Sequence, residues 1–263
     1  MTFPVIEIEN FSFAIGAKQI LRDVSLRVDS GEYWSIVGPN GAGKTTLLKC
    51  LVRIHTGGAG RIRLKGKVLG GYSQKELARL VGYVPQASGR LFPFTVREFV
   101  MMGRYPHLSP FSSVSREDEK TVQHALEVTG TAEFAERRLG TLSGGECQKV
   151  FLAAALAQGA GILLLDEPTA FLDYKHQAEI LRLLRRLNKE SGVTVVAVTH
   201  DINCAVLFSD RILAIKEGAV AFSGTPREIM EEEVLGRIYD ASFHFMHDAE
   251  TGASIVAPQG ISL

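Results

Sequence analysis

The chain has 263 residues, 46% of them hydrophobic, and a formal net charge of +0. That length suffices for one large domain or two small ones with a sizeable core. Charge neutrality excludes a nucleic-acid binder driven by a generally basic surface. Cys50, Cys147 and Cys204 are odd in number and scattered, with no CxxC pair. They fit a reducing compartment rather than a disulfide framework or a cysteine metal site. Residues 1–7 carry no basic stretch ahead of an apolar core, so no signal peptide is expected. The longest apolar run, residues 150–165, is interrupted by Gln158, Gly159 and Gly161. It falls short of the ~20 residues of a spanning helix. Two buried elements joined by a turn explain it better, so a soluble protein is expected, linked to any membrane through a partner.

In chain order, residues 5–13 and 20–28 alternate apolar and polar side chains and predict strands on either side of a turn at Gly16-Ala17-Lys18. A buried strand over 33–37 and a helix over 46–51 follow, then a loop at Gly57-Gly58-Ala59-Gly60. Residues 61–64 and 80–84 predict strands, with a short helix over 74–79. From about Thr95 to Gln158 the pattern is helical. Thr95 with Glu98, and Ser115 with Asp118, have capping-box spacing. Val122, Leu126 and Val128 form the apolar stripe after the second. Alternation of strand and helix resumes at 162–165, 176–190, 193–198, 202–208 and 211–215. It implies an α/β fold with a parallel or mixed sheet covered on both faces, and an inserted all-helical subdomain. Residues 241–263 read as irregular, with a hairpin turn at Asp248-Ala249-Glu250-Thr251-Gly252.

Gly38-Pro39-Asn40-Gly41-Ala42-Gly43-Lys44-Thr45 fits the phosphate-binding loop G-x-x-x-x-G-K-[ST] between a strand and a helix. The glycines let backbone N–H groups converge on a polyphosphate, Lys44 reaches its outer phosphates, and the Thr45 hydroxyl holds Mg²⁺. The helix N-terminus adds its positive dipole end. Ile162-Leu163-Leu164-Leu165-Asp166-Glu167 is an apolar strand ending in two carboxylates at the edge where open α/β sheets bind ligands. Asp166 is placed to hold Mg²⁺, and Glu167 to act as general base on an attacking water. Leu142-Ser143-Gly144-Gly145-Glu146 predicts a Ser-capped helix over 144–157 whose glycines leave the amide end bare for an anion. One chain has one nucleotide loop but two phosphate sites. A dimer in which each chain offers this helix end to the other's γ-phosphate resolves that.

With these motifs in this order, the chain resembles the ATP-binding subunits of ATP-binding cassette (ABC) transporters over nearly its whole length. The resemblance implies a P-loop NTPase (RecA-like) core with an N-terminal antiparallel β subdomain and an inserted α-helical signature subdomain. The core and β subdomain would span approximately 1–94 and 159–240, the helical subdomain 95–158 and a short extension 241–263. Gly38 to Thr45 matches Walker A, extended to Thr46. Asp166 with Glu167 matches Walker B and the catalytic glutamate. Ser143, Gly144, Gly145 and Glu146 look like the signature, with Glu146 where Gln is commoner. Gln86, after Val81-Gly82-Tyr83-Val84-Pro85, matches the Q-loop and is implied as a Mg²⁺ ligand, with the segment 87–94 coupling to a partner. Asp173 looks like the D-loop aspartate, and His200 the switch histidine beside the γ-phosphate. The adenine-stacking aromatic is replaced by Ile15. Phe13, two residues before it, is a candidate stand-in, although strand alternation favours placing it in the core.

The implied cofactors are ATP and Mg²⁺. The implied partners are a second ATPase copy, transmembrane permease subunits and, indirectly, a substrate-binding protein, with no nucleic acid. The implied place is the cytoplasmic face of the cell membrane, peripherally attached. Met101-Met102-Gly103-Arg104-Tyr105-Pro106-His107 and Phe171-Leu172-Asp173-Tyr174-Lys175-His176-Gln177 are similar to importers of iron chelates, haem and cobalamin. Another small-molecule importer and a soluble non-transport ABC ATPase stay open as alternatives. His244 and His247, and His107 and His176, read as ordinary residues rather than metal ligands.

Overall fold

In the computed structural model of the chain, residues 4–86, 93–109, 113–247 and 254–259 are described. The strands are β1 (Pro4–Ile15), β2 (Lys18–Asp29), β3 (Tyr33–Val37), β4 (Ala59–Leu64), β5 (Lys67–Val68), β6 (Val81–Val84), β7 (Ile162–Asp166), β8 (Thr194–Val198), β9 (Arg211–Lys216), β10 (Ala219–Gly224), β11 (Phe243–His247) and β12 (Ser254–Pro258). The α-helices are α1 (Lys44–Leu51), α2 (Gln74–Leu80), α3 (Val96–Met102), α4 (Arg116–Thr129), α5 (Gly144–Ala157), α6 (Tyr174–Ser191), α7 (Ile202–Phe208), α8 (Pro226–Ile229) and α9 (Glu232–Tyr239). Contacts divide them into two compact units, Met1–Gly71 with Thr194–Leu263, and Tyr72–Val193.

The first unit holds strands of two larger sheets and a two-stranded pair. β1 and β2 pair antiparallel as a hairpin, with Ile8 opposite Leu26 and Phe13 opposite Leu21. β4 pairs with the other side of β1, giving the order β2-β1-β4-β5. Alternation drives this sheet's inner face: Leu21, Val24, Leu26 and Val28 are buried while their neighbours are not. In the second sheet β3 is buried along its whole length and lies parallel between β8 and β9. β10 folds back antiparallel on β9. A buried strand flanked by parallel neighbours reads as an unbroken apolar run, which Tyr33-Trp34-Ser35-Ile36-Val37 nearly is. Val37, Ile212, Ala214, Ile229, Leu235 and Ile238 form an apolar cluster that Phe243 and Val256 complete.

Two parts of this unit depart from the sequence reading. Residues 241–263 are not irregular: β11 and β12 pair antiparallel, with Phe245 opposite Val256. The turn expected at Asp248 to Gly252 lies outside the described residues. β10, α8 and α9 carry no sequence expectation, although Thr225 and Glu228 form a capping box with Pro226 in the first turn of α8.

In the second unit β6 and β7 pair in parallel, Val84 beside Leu165. α3, α4 and α5 bury Val96, Val100, Val122, Leu126, Val150 and Ala153 together. Truncating one of these, such as Leu126→Ala, costs about 2–5 kcal/mol. The capping boxes at Thr95 and Ser115 form as the spacing predicts. On α4 the buried positions are Asp118, Val122, Ala125, Leu126 and Thr129. Val128 stands aside because a helix face recurs at three and four residues. The run 150–165 resolves into the end of α5, a turn at Gly159 with φ 72°, and β7. Among the described residues no helix is long and apolar enough to cross a membrane.

Candidate functional site

The phosphate loop leaves β3 under tight backbone constraint. Gly38 has φ 133°, and a Cβ there would lie 2.0 Å from the Ile215 carbonyl oxygen. Gly43, with φ 103°, would bring a Cβ to 2.8 Å from Leu21 Cδ2. Only glycine meets both demands. Gly43 is also the N-cap of α1 and places no side chain over the helix end. A helix start without a side-chain cap suits an anion at its first-turn N–H groups. Lys44 is buried, and its Nζ donates to Gly38 O at 2.7 Å and Pro39 O at 2.9 Å. The Gly218 N–H donates to Ala42 O at 3.1 Å, so the β9–β10 turn props the loop from outside. Asn40 and Gly41 are exposed at its tip, and Thr45 and Thr46 are half-buried on the first turn of α1.

Ile15 is 52% exposed at the close of β1. Phe13 is buried and stacks on His55 with ring centroids 5.5 Å apart. The alternation that sends Phe13 inward therefore holds, and its ring faces His55. His200 is exposed at the end of β8. It is set there by Thr199, whose N–H donates to Ile36 O at 3.1 Å. Asp201 next to it caps α7, accepting from Cys204 N at 3.0 Å. Burial, then the Asp201 carboxylate, push the Cys204 thiol up to about 12, so it stays a thiol and donates to Asp201. Burial likewise raises Cys50 to about 11. The three cysteines are free, and the described residues contain no cluster able to hold a metal through His, Cys, Asp and Glu alone. His247 Nδ1 instead meets Ser254 Oγ at 2.7 Å across the β11–β12 pair.

The second unit gathers the acidic residues. Asp166 is buried at the end of β7, and Tyr83 Oη donates to its Oδ2 at 3.3 Å. Glu167 follows with φ 49°, a left-handed backbone that turns the chain off the sheet edge at a cost of about 1–3 kcal/mol. Gln86 Nε2 donates to Glu167 Oε2 at 2.9 Å. Of the segment proposed to follow Gln86, residues 87–92 lie outside the described residues.

Ser143 caps α5, and the box closes through Glu146, whose Oε2 accepts the Ser143 N–H at 2.7 Å. That N–H above all holds the Glu146 carboxyl below its usual range. The helix end is less bare than its glycines suggest. Gly144 is exposed, but a Cβ on Gly145 would lie 2.4 Å from His176 Cδ2. The His176 ring in turn meets the Asp173 carboxylate at 2.9 Å, and Asp173 caps α6 by accepting from His176 N.

Three groupings result: Lys44 with Gly38 and Pro39; Gln86 and Glu167 beside Asp166 and Tyr83; and Asp173 with His176 and Gly145. Sequence reasoning gave Tyr83 no role and read His176 as an ordinary residue. Tyr83 stood inside the stretch used to locate Gln86, with nothing but the strand period to say which way its ring points. His176 follows Asp173 by three residues, the spacing of a capped first turn.

The family model described as ABC transporter matches residues 21–170. The chain is 41% identical to the iron(3+)-hydroxamate import ATP-binding protein FhuC of Bacillus subtilis (strain 168), covering 94% of this chain and 92% of that one. It is 38% identical to the ferric enterobactin transport ATP-binding protein FepC of Escherichia coli (strain K12), covering 96% and 93%. Among solved structures, the cassette MJ0796, a dimer in a post-hydrolysis state bound to ADP and Pi, superposes with a TM-score of 0.73 at 32% identity, covering 84% of this chain and 99% of that one. The phosphate loop on α1 and the carboxylates closing β7 belong to the same α/β P-loop fold, and the chain belongs to the ABC transporter family as an ATP-binding, ATP-hydrolysing cassette.

Proposed function

We propose that this cassette drives transmembrane uptake of an iron chelate or a cobalamin. The observation that carries the reading is the agreement among its relatives. FhuC and FepC are named for ferric hydroxamate and ferric enterobactin, FpuC of Bacillus anthracis for petrobactin, and BtuD of Halobacterium salinarum for cobalamin. Each is at least 36% identical over most of this chain.

In this reading the phosphates of ATP lie against Gly38 to Thr46, with Lys44 on the outer ones. The Thr45 hydroxyl, the Asp166 carboxylate and the Gln86 amide oxygen are hard oxygen donors of the kind Mg²⁺ takes, alongside phosphate oxygens. Mg²⁺ supplies charge neutralisation at the transferred phosphoryl group. Glu167 takes the proton of the attacking water, and His200 donates a hydrogen bond to the γ-phosphate. Ser143, Gly144, Gly145 and Glu146 close over the nucleotide of a second copy, beside Asp173 of the D-loop. Ile15 lies against adenine. Two copies thus sandwich two Mg-ATP and move permease subunits at the cytoplasmic face of the membrane, with a substrate-binding protein delivering the solute. The helical subdomain would be 95–158, within a core of 1–94 and 159–240, with 241–263 as an extension.

The test is Glu167→Gln. The variant is expected to bind ATP, to hydrolyse it about 10²–10⁴-fold more slowly, as for loss of a general base, and to accumulate as a dimer in light scattering. A variant that stays monomeric at saturating ATP, even with its membrane partners, overturns the sandwich. Undiminished uptake of radiolabelled ferric hydroxamate, ferric enterobactin, ferric petrobactin and cobalamin after gene deletion overturns the solute class.

A further inference from the structure

The β11–β12 pair meets α7 through apolar packing and through the amide of one side chain. Asn203 Nδ2 donates to Val256 O at 3.0 Å, and Val256 N–H donates back to Asn203 Oδ1 at 2.8 Å. The amide meets β12 as the peptide group of a neighbouring strand would, with one donor and one acceptor both used. The Val256 side chain is buried in the cluster that contains Ala205 of α7 and Val37 of β3. The same stretch of chain also approaches the phosphate loop. Tyr239 ends α9, packs edge-on against Phe243 at 6.0 Å, and has a buried hydroxyl with no partner at hydrogen-bonding geometry. The groups that bear on that phenol are the Gly38 N–H, at the start of the phosphate loop, and the Asp201 carboxylate.

His200 lies between these anchors. On one side Thr199 is tied to β3. On the other, Asp201 starts α7, and Asn203 ties the first turn of that helix to β12. We infer that Asn203 is a positioning residue for ATP hydrolysis, holding α7 on the β11–β12 hairpin so that His200 keeps its place at the end of β8. This rests on the proposed role of His200. Without the amide, Val256 N–H and C=O lose their partners, and α7 is held to β12 by apolar contact alone. Apolar packing is non-directional, so the helix can rotate and carry its first residues with it.

The experiment is a double-mutant cycle on the full chain, reading steady-state kcat and KM for ATP and following the slowest variants by single-turnover phosphate release. Asn203→Leu is expected to lower kcat about tenfold with KM within about twofold, the pattern of a displaced catalytic group rather than a lost binding contact. In a His200→Ala background the same substitution is expected to cost less than about twofold, because its route of action is gone. Asn203→Asp, which keeps the acceptor for Val256 N–H but sets a carboxylate against Val256 O, is read in the same cycle should Asn203→Leu fail to fold. Equal losses in both backgrounds, kcat unchanged by either Asn203 variant, or a rise in KM alone would overturn the inference. His200→Ala with undiminished kcat would overturn the role of His200 itself, whatever Asn203 does, so the two failures are distinguishable.

Discussion

Gln86 and Glu167 are hydrogen-bonded to each other, amide nitrogen to carboxylate oxygen, at 2.9 Å. The residue proposed to serve the metal thus fixes the residue proposed to serve the water. Gln86 is exposed and Glu167 half-buried, so the bond contributes about 1 kcal/mol to stability. Gln86→Ala should therefore lower the unfolding midpoint by no more than about 2–4 °C while lowering ATP turnover about tenfold, a loss of roughly 1.4 kcal/mol at the transition state. Phosphate release measured beside calorimetric ATP binding separates the two effects. Full turnover in the variant would remove Gln86 from the site.

Tyr83 donates to Asp166, and burial, followed by the Asp166 charge, pushes its phenol well above the usual tyrosine range. It stays a donor at every working pH and adds no limb to the pH–rate profile. Tyr83→Phe removes one hydrogen bond to Asp166, worth about 1 kcal/mol. The half-saturating Mg²⁺ concentration for ATPase is expected to rise about fivefold, with little change in ATP affinity. An unchanged Mg²⁺ titration would show that Tyr83 serves packing only.

Gly145→Ala forces a methyl group to within 2.4 Å of His176 Cδ2 and 2.5 Å of its Cγ. Overpacking of this kind costs about 1–3 kcal/mol. The urea midpoint should fall accordingly, and His176→Ala should recover more than half of the loss by removing both ring atoms. Additive losses in the double variant would locate the strain elsewhere.

Arg104 Nε pairs with Asp118 Oδ1 at 2.9 Å, with side chains only 11% and 9% exposed. Arg104 also donates to Ala157 O at 2.7 Å, joining the first turn of α4 to the end of α5. Hydrogen bonds from Ser115, then Arg104, hold the Asp118 carboxyl down to about 2, against 3.8 for a free aspartate. A lowered folded-state pKa gives stability that is full above the unfolded value and fades as pH falls through the folded one. The wild type should thus lose stability from about pH 4 toward pH 2, and Asp118→Asn should flatten that slope in urea titrations. Arg104→Met should cost about 1.5–3 kcal/mol at neutral pH, because the Asp118 charge loses its ion pair and keeps only the Ser115 hydrogen bonds.

Features legible in the sequence are those whose cause lies within a few residues. Ser143, two glycines and Glu146 define the start of α5 without help from the rest of the fold. The Gly38–Lys44 spacing likewise encodes the turn that the loop makes. The bond between Gln86 and Glu167 spans 81 positions, and only the pairing of β6 with β7 brings them together. The β11–β12 pair escaped notice for a related reason. Phe243-His244-Phe245-Met246-His247 alternates imperfectly, and what it buries, Phe243 on the α9 cluster, is decided by a helix that carried no sequence expectation of its own. His55 against Phe13 and Tyr239 near Gly38 are of the same kind, contacts between side chains that no local pattern joins.

The Lys44 ammonium has a consequence for the cycle as a whole. Two of its three protons are engaged by carbonyls of its own loop, Gly38 O and Pro39 O. A phosphate that takes the ammonium therefore trades against those carbonyls, and its net gain is the difference between charged and neutral acceptors rather than the full strength of either. The same carbonyls stand ready to reclaim Nζ once the phosphate is split off. On the proposed role of Lys44, grip on the nucleotide is moderated from within the loop, and product departure has a built-in competitor working in its favour.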